Sequence, residues 1–195
     1  APGRMSAAVI GDLYKKMDDL VGRVAADLGP KGVLFVMSDH GFKSFRRGVN
    51  LNSWLLRNGY MTLGEGKNSS GEWFKDVDWD RTKAYGIGLG GVYLNLKGRE
   101  ARGTVEPGRE AAALKAALIK KLTALEDGPG GPAAITRVYD RDAVYAGPYK
   151  GNAPDLIIGY NEGYRASWDG VTGIVDGTVL EDNTKAWSGD HCIDP

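Results

Sequence analysis

Residues 33–37 read Val-Leu-Phe-Val-Met, apolar without a break, and the run stops at Ser38-Asp39-His40-Gly41. A strand with one wet face alternates apolar and polar side chains; a strand covered on both faces does not. The run therefore predicts a strand over 33–38 inside a parallel sheet with helices on both faces. A helix is predicted just before it, over 10–28. Ile10, Leu13, Met17, Leu20, Val21, Val24 and Leu28 recur at spacings of three and four, with Lys15, Lys16, Asp18, Asp19 and Arg23 on the other side. Gly29-Pro30 ends it.

Downstream, "LNSWLLRN" predicts a helix over 51–58, capped by Asn50 or Asn52 and stopped by Gly59. "KAYGIG" and "GVYLNL" predict two strands around a glycine turn, over 83–88 and 91–96. A helix from about Pro107 to Leu125 places Leu114, Leu118, Leu122 and Leu125 on one face. Strands are expected over 133–140 and 155–160, with a weaker β candidate at "VTGIVDGTV". The polar, glycine-rich stretch 64–80 reads as an ordered loop or insertion, its aromatic residues forming a small core of their own. Helices alternating with apolar strands make the fold class α/β.

The 195 residues suffice for one full-sized domain, and 1–195 reads as a single one. Lys+Arg and Asp+Glu are equal at 25 each, so no net field draws the chain to nucleic acid. Cys192 stands alone, which excludes an internal disulfide framework and a cysteine-rich zinc site. No apolar run approaches the ~18 residues a membrane span requires. Glycine is in excess, 29 residues or about twice the usual share, as expected of many tight loops. The two ends, "APGRM" and "SGDHCIDP", read as those of a piece of a longer protein.

Asp39 and His40 are the first candidates for chemistry. Within a strand, neighbouring side chains point to opposite faces, so the two could not share a ligand. Past the strand's end that restriction lifts, and Gly41 lets the backbone turn. Both could then meet at the carboxyl edge of a sheet, where α/β proteins place their sites. Carboxylate with imidazole suits zinc, manganese or iron better than calcium or magnesium. Spacing alone is served as well by a turn that Asp39 caps, with His40 incidental. His191, the other histidine, repeats the glycine-flanked Asp-His setting; a bare surface histidine is its plainer reading. Lys43, Arg46 and Arg47 could meet a phosphate, and a solvated loop explains them more simply.

Other motifs carry less. "GIGLGG" over 86–91 matches the dinucleotide fingerprint in letters, but a predicted strand follows it, where the fingerprint needs a helix N-terminus. It is read as a hairpin turn. "GKNSSG" lacks the Gly-Lys-Ser/Thr ending of a phosphate loop, and no G-x-S-x-G elbow is present.

The order of segments says more than any one of them. "LYKKMDDLVGRV", "VLFVMSDHGF", "NLNSWLLRNGYM" and "KAYGIGLGGVYLNLKGRE", then "ITRVYDRDAVYAGPYKGNAPDLIIGY" and a final "WSGDH", resemble the alkaline phosphatase superfamily. Its type I phosphodiesterase/nucleotide pyrophosphatase members, and the phosphohydrolase/phosphomutase proteins related to them, are the most similar. The resemblance implies a three-layer α/β/α sheet, here partial, and two divalent metal ions, zinc first and manganese second. It implies that Asp39 and His40 bind the metal that activates the nucleophile, and that His191 binds the other. The family's Thr or Ser nucleophile, a first metal-binding Asp and an Asp-x-x-x-His pair have no counterpart here, so no catalytic residue is assigned and the piece alone is expected to be inactive. The implied activity of the parent protein is phosphoric ester hydrolysis on a small-molecule phosphate ester or nucleotide. Monoesterase, mutase and sulfatase chemistry stay open. The alternative is a non-catalytic binding or structural domain that retains the fold.

Overall fold

The computed structural model describes residues 2–191 and 194, with side chains described from residue 8 onward. The chain divides into two compact units, Ala1–Gly41 and Phe42–Pro195. Cys192 lies outside the described residues.

In the first unit, α1 spans Pro2–Asp27 and ends before Gly29-Pro30, as its sequence predicts. The apolar stripe that marks the helix is solvent-exposed, from Ile10 at 62 % to Leu28 at 36 %. The expected strand over 33–38 is not formed. Those residues carry no ladder hydrogen bonds, and Phe35 and Met37 are 80 % and 88 % exposed. A strand exists only by pairing, and among its described residues this unit has one helix and one apolar run but no strand for that run to pair with.

The second unit carries two sheets. Its first strand, β1 (Lys43–Val49), takes up Lys43, Arg46 and Arg47, so those residues are not in the loop their charge suggests. The charges are tolerated because partners from distant segments meet them. Arg47 Nη1 lies 3.3 Å from Asp182, and its Nε lies 3.2 Å from Asp127 without hydrogen-bond alignment. After β1 come α2 (Leu51–Arg57), β2 (Ala84–Ile87), β3 (Gly91–Leu94) and α3 (Arg109–Thr123). Then follow β4 (Ile135–Asp140), α4 (Arg141–Val144), β5 (Leu156–Tyr160), β6 (Gly163–Ala166), α5 (Trp168–Val171), β7 (Leu180–Asp182) and β8 (Gly189–Asp190). One sheet runs β6-β1-β7, with β8 also paired to β1; β1 is parallel to β6 and antiparallel to β7 and β8. The other runs β2-β3-β5-β4 and is antiparallel at every pair. Two sheets with packed helices give the mixed α/β class that the sequence predicts, consistent with a partial alkaline-phosphatase-like fold.

Local chemistry explains these elements. Asn50 caps α2, its Oδ1 accepting from Ser53 N at 3.0 Å. Asn52 then ties α2 to β2 through two bonds, Nδ2 to Gly86 O at 2.8 Å and Gly86 N to Oδ1 at 2.7 Å. "GIGLGG" is the β2–β3 hairpin turn, with Gly88 at φ +71°, a conformation glycine adopts without strain. The core gathers Leu55, Leu94, Leu118, Leu122, Ile135, Leu156 and Tyr160, each 1 % exposed or less. Truncating one such leucine to alanine costs about 2–5 kcal/mol. The loop over 64–80 has two single bridges, Leu63 to Val77 and Ser70 to Val175. In it, Phe74 and Trp79 meet edge to face with Tyr85.

Candidate metal centre

Asp39 and His40 close the first unit. Their side chains come together in a single tight turn. His40 N donates to Asp39 Oδ1 at 3.1 Å, and Ser38 Oγ donates to His40 O at 2.6 Å. The turn brings His40 Nε2 to 3.3 Å from Asp39 Oδ2. The opposite ring nitrogen, Nδ1, lies 3.1 Å from Gly41 O. A carbonyl only accepts, so Nδ1 is the donor in that contact, and Nε2 is the ring nitrogen that faces the Asp39 carboxylate. Two donors held at arms of about 2.0–2.2 Å in tetrahedral geometry stand roughly 3.3–3.5 Å apart. The donor types and their spacing therefore fit a zinc-like ion. The backbone-anchored Nδ1 is the arrangement that fixes a metal-binding tautomer.

His191 lies in the second unit, one residue beyond β8 and exposed. Its ring sits 5.9 Å from that of Phe42, tilted by 53°. The structure thus places Asp39 and His40 in one turn and His191 at the end of a strand in the other unit.

A third group escaped the sequence reading. Asp169, Asp176 and Glu181 bring carboxylate oxygens within 4.8 Å of one another. Asp169 comes from the first turn of α5 and Glu181 from β7, with Asp176 on the loop between them. Asp176 Oδ1 accepts from Ser53 Oγ at 3.1 Å and Thr178 N at 2.8 Å. Burial, and then the negative charges of Asp169 and Asp176, hold the Glu181 carboxyl above its ordinary range. An all-carboxylate set could hold a hard divalent cation. No spacing in the sequence announces it, because β1 pairing with β7 creates the proximity.

The sequence model of the family described as type I phosphodiesterase/nucleotide pyrophosphatase matches residues 5–183. The chain belongs to this type I phosphodiesterase family. The match takes in Asp39, His40 and the acidic group and ends before His191. Searches of curated proteins and of solved structures returned no match. Family membership makes phosphoryl transfer the chemistry against which the geometry is weighed, and phosphate esters the substrate class. No described helix of this type I phosphodiesterase chain is long and apolar enough to cross a membrane.

Proposed function

We propose that the chain forms the metal-holding part of a phosphodiesterase or phosphohydrolase, with Asp39 and His40 as ligands of one divalent ion and His191 of another. The observation that carries this is the 3.3 Å approach of His40 Nε2 to Asp39 Oδ2 in a chain of this family. Zinc is the favoured ion and manganese the second choice, since a carboxylate and an imidazole suit both. Two such ions, when bound, activate an oxygen nucleophile and neutralise the phosphoryl oxygens of an in-line displacement. Asp39 contributes the negative charge that offsets the cation. His40 contributes a lone pair whose direction is set by the Nδ1–H bond to Gly41 O. The substrate is a small phosphate ester or a nucleotide.

The family resemblance assigns no hydroxyl nucleophile to these residues, so the chain's share is to hold metal rather than to break the ester bond. Calorimetric titration with zinc tests the reading. The unaltered chain binds zinc, and His40→Ala or Asp39→Asn weakens the first site by about tenfold or more. His191→Gln weakens the second and leaves the first. An unaltered chain that takes up no zinc overturns the assignment. Bis(p-nitrophenyl) phosphate is not turned over by the isolated chain; hydrolysis abolished by His40→Ala would show that the chain supplies its own nucleophile.

A further inference from the structure

The geometry points to Arg165 as a positioning residue for His191, acting through Asp190. It rests on the reading of His191 as a metal ligand, and its test is built to stand apart from that reading. Arg165 lies on β6, and only 4 % of it is exposed. A guanidinium in such a place must be matched on its faces and at its edges, or its desolvation is uncompensated.

Both requirements are met. The guanidinium carbon stands 4.3 Å from the Trp168 ring centre, 5.0 Å from Phe45 and 5.6 Å from Trp187. Flat, weakly hydrated and always charged, an arginine head suits such a ring box better than a lysine ammonium. Phe45 and Trp187 meet edge to face at 5.7 Å, and Trp168 and Trp187 do so at 5.2 Å, so the walls support one another. Nε donates to Ala166 O at 3.1 Å, which fixes the plane of the head. Nη1 then reaches to 3.7 Å from Asp190 Oδ1, a carboxylate only 3 % exposed.

Asp190 precedes His191 directly and ends β8. That strand has two residues, paired as Lys43 with Asp190 and Ser44 with Gly189, with Phe45 N donating to Ser188 O at 2.8 Å just before it. So short a strand has little power to hold its own register. The buried ion pair supplies a side-chain anchor at the last residue before the imidazole, and the Phe42 ring lies against the imidazole itself. Arg165 therefore sets where His191 leaves the sheet, without touching the metal.

The test separates positioning from mere stability. The chain is labelled at its two histidines with ¹³C, His40→Gln assigns the resonances, and the ring signals of His191 are compared among variants. Arg165→Met alone takes the guanidinium away from the buried Asp190 carboxylate and lowers the unfolding temperature. Arg165→Met/Asp190→Asn removes the buried carboxylate charge as well and recovers stability. Asp190→Asn alone gives a second route, with Arg165 kept in its ring box. In the double variant and in Asp190→Asn, the His191 ring signals move toward free-histidine values, and amide exchange at 189–191 rises about tenfold while β2–β5 amides keep their protection. His191 signals that remain at their unaltered positions in these variants overturn the proposal and leave Arg165 a stability residue only. Zinc titration of the same variants reports separately. If the unaltered chain binds no zinc, the ligand role of His191 fails, and the ring signals still decide whether Arg165 positions it.

Discussion

Glu181 shows how a single side chain registers its surroundings. Burial and the nearby charges of Asp169 and Asp176 disfavour its ionised form, so its folded pKa is raised. A raised acid contributes its full stability below the ordinary glutamate value, and that contribution is lost as pH rises through the folded value. Glu181→Gln removes the penalty. The variant is expected to unfold roughly 1–3 °C above the parent chain at pH 7, a modest gain because the group is partly solvated, and the gap closes below about pH 4. Melting curves across that range check it. At this scale only some of the candidate groups were legible. Asp39-His40 stood out because a carboxylate and an imidazole ended an apolar run, and His191 because it repeats the glycine-flanked Asp-His setting and the family resemblance reached it. Asp169, Asp176 and Glu181 were silent, since their meeting depends on which strands pair. Arg165 was silent too, for three aromatic rings and a carboxylate from scattered positions give it its meaning.

Among elements, those whose pattern is local were read correctly. α2 and α3, the β2–β3 hairpin, β4 and β5 fall within a few residues of their predicted ranges, because caps, glycine turns and leucine periodicity are written in adjacent residues. β1 was missed. Its Lys-Ser-Phe-Arg-Arg-Gly-Val looks like loop until Asp127 and Asp182 arrive to meet Arg47. The segment 33–38 failed in the opposite sense: it has the composition of a buried strand and no ladder partner. Ion pairing also secures the junction of β4 and α4. Lys115 Nζ donates to Asp140 at 2.7 Å and to Asp142 at 2.9 Å, and Lys150 lies 3.1 Å from Asp142. Lys115, and then Lys150, hold the Asp142 carboxyl down at about 2. A depressed acid stabilises above its unfolded value, and that share is lost as pH falls from about 4 toward 2. Asp142→Asn should therefore lower the midpoint by roughly 1–2 °C at pH 7, since exposed pairs are weak, and by only a small fraction of that at pH 2, where the folded carboxyl is about half protonated. A difference undiminished at pH 2 would assign the effect to packing instead.

Across the whole molecule, every buried apolar side chain among the described residues lies at Phe45 or later. The second unit, Phe42–Pro195, thus owns its hydrophobic driving force, while Val33 to Met37 form an uncharged apolar run exposed to solvent. A chain trimmed to 42–195 is expected to unfold cooperatively within a few degrees of the full length and to stay soluble at higher concentration. Calorimetry and light scattering check both, and a non-cooperative trace would show that the first unit is needed for the fold. Asp155, 2 % exposed, joins distant parts of the second unit. It accepts from Leu94 N across 61 residues and meets Arg99 and Arg141. Such a join must wait for the chain between to be made and closed. During synthesis the β2–β3 hairpin leaves the ribosome well before β5, with the β3 edge it will share still open. For that interval the order of events is written into the loop lengths, and the last strand to arrive, carried in beside Asp155, is the one that locks the sheet.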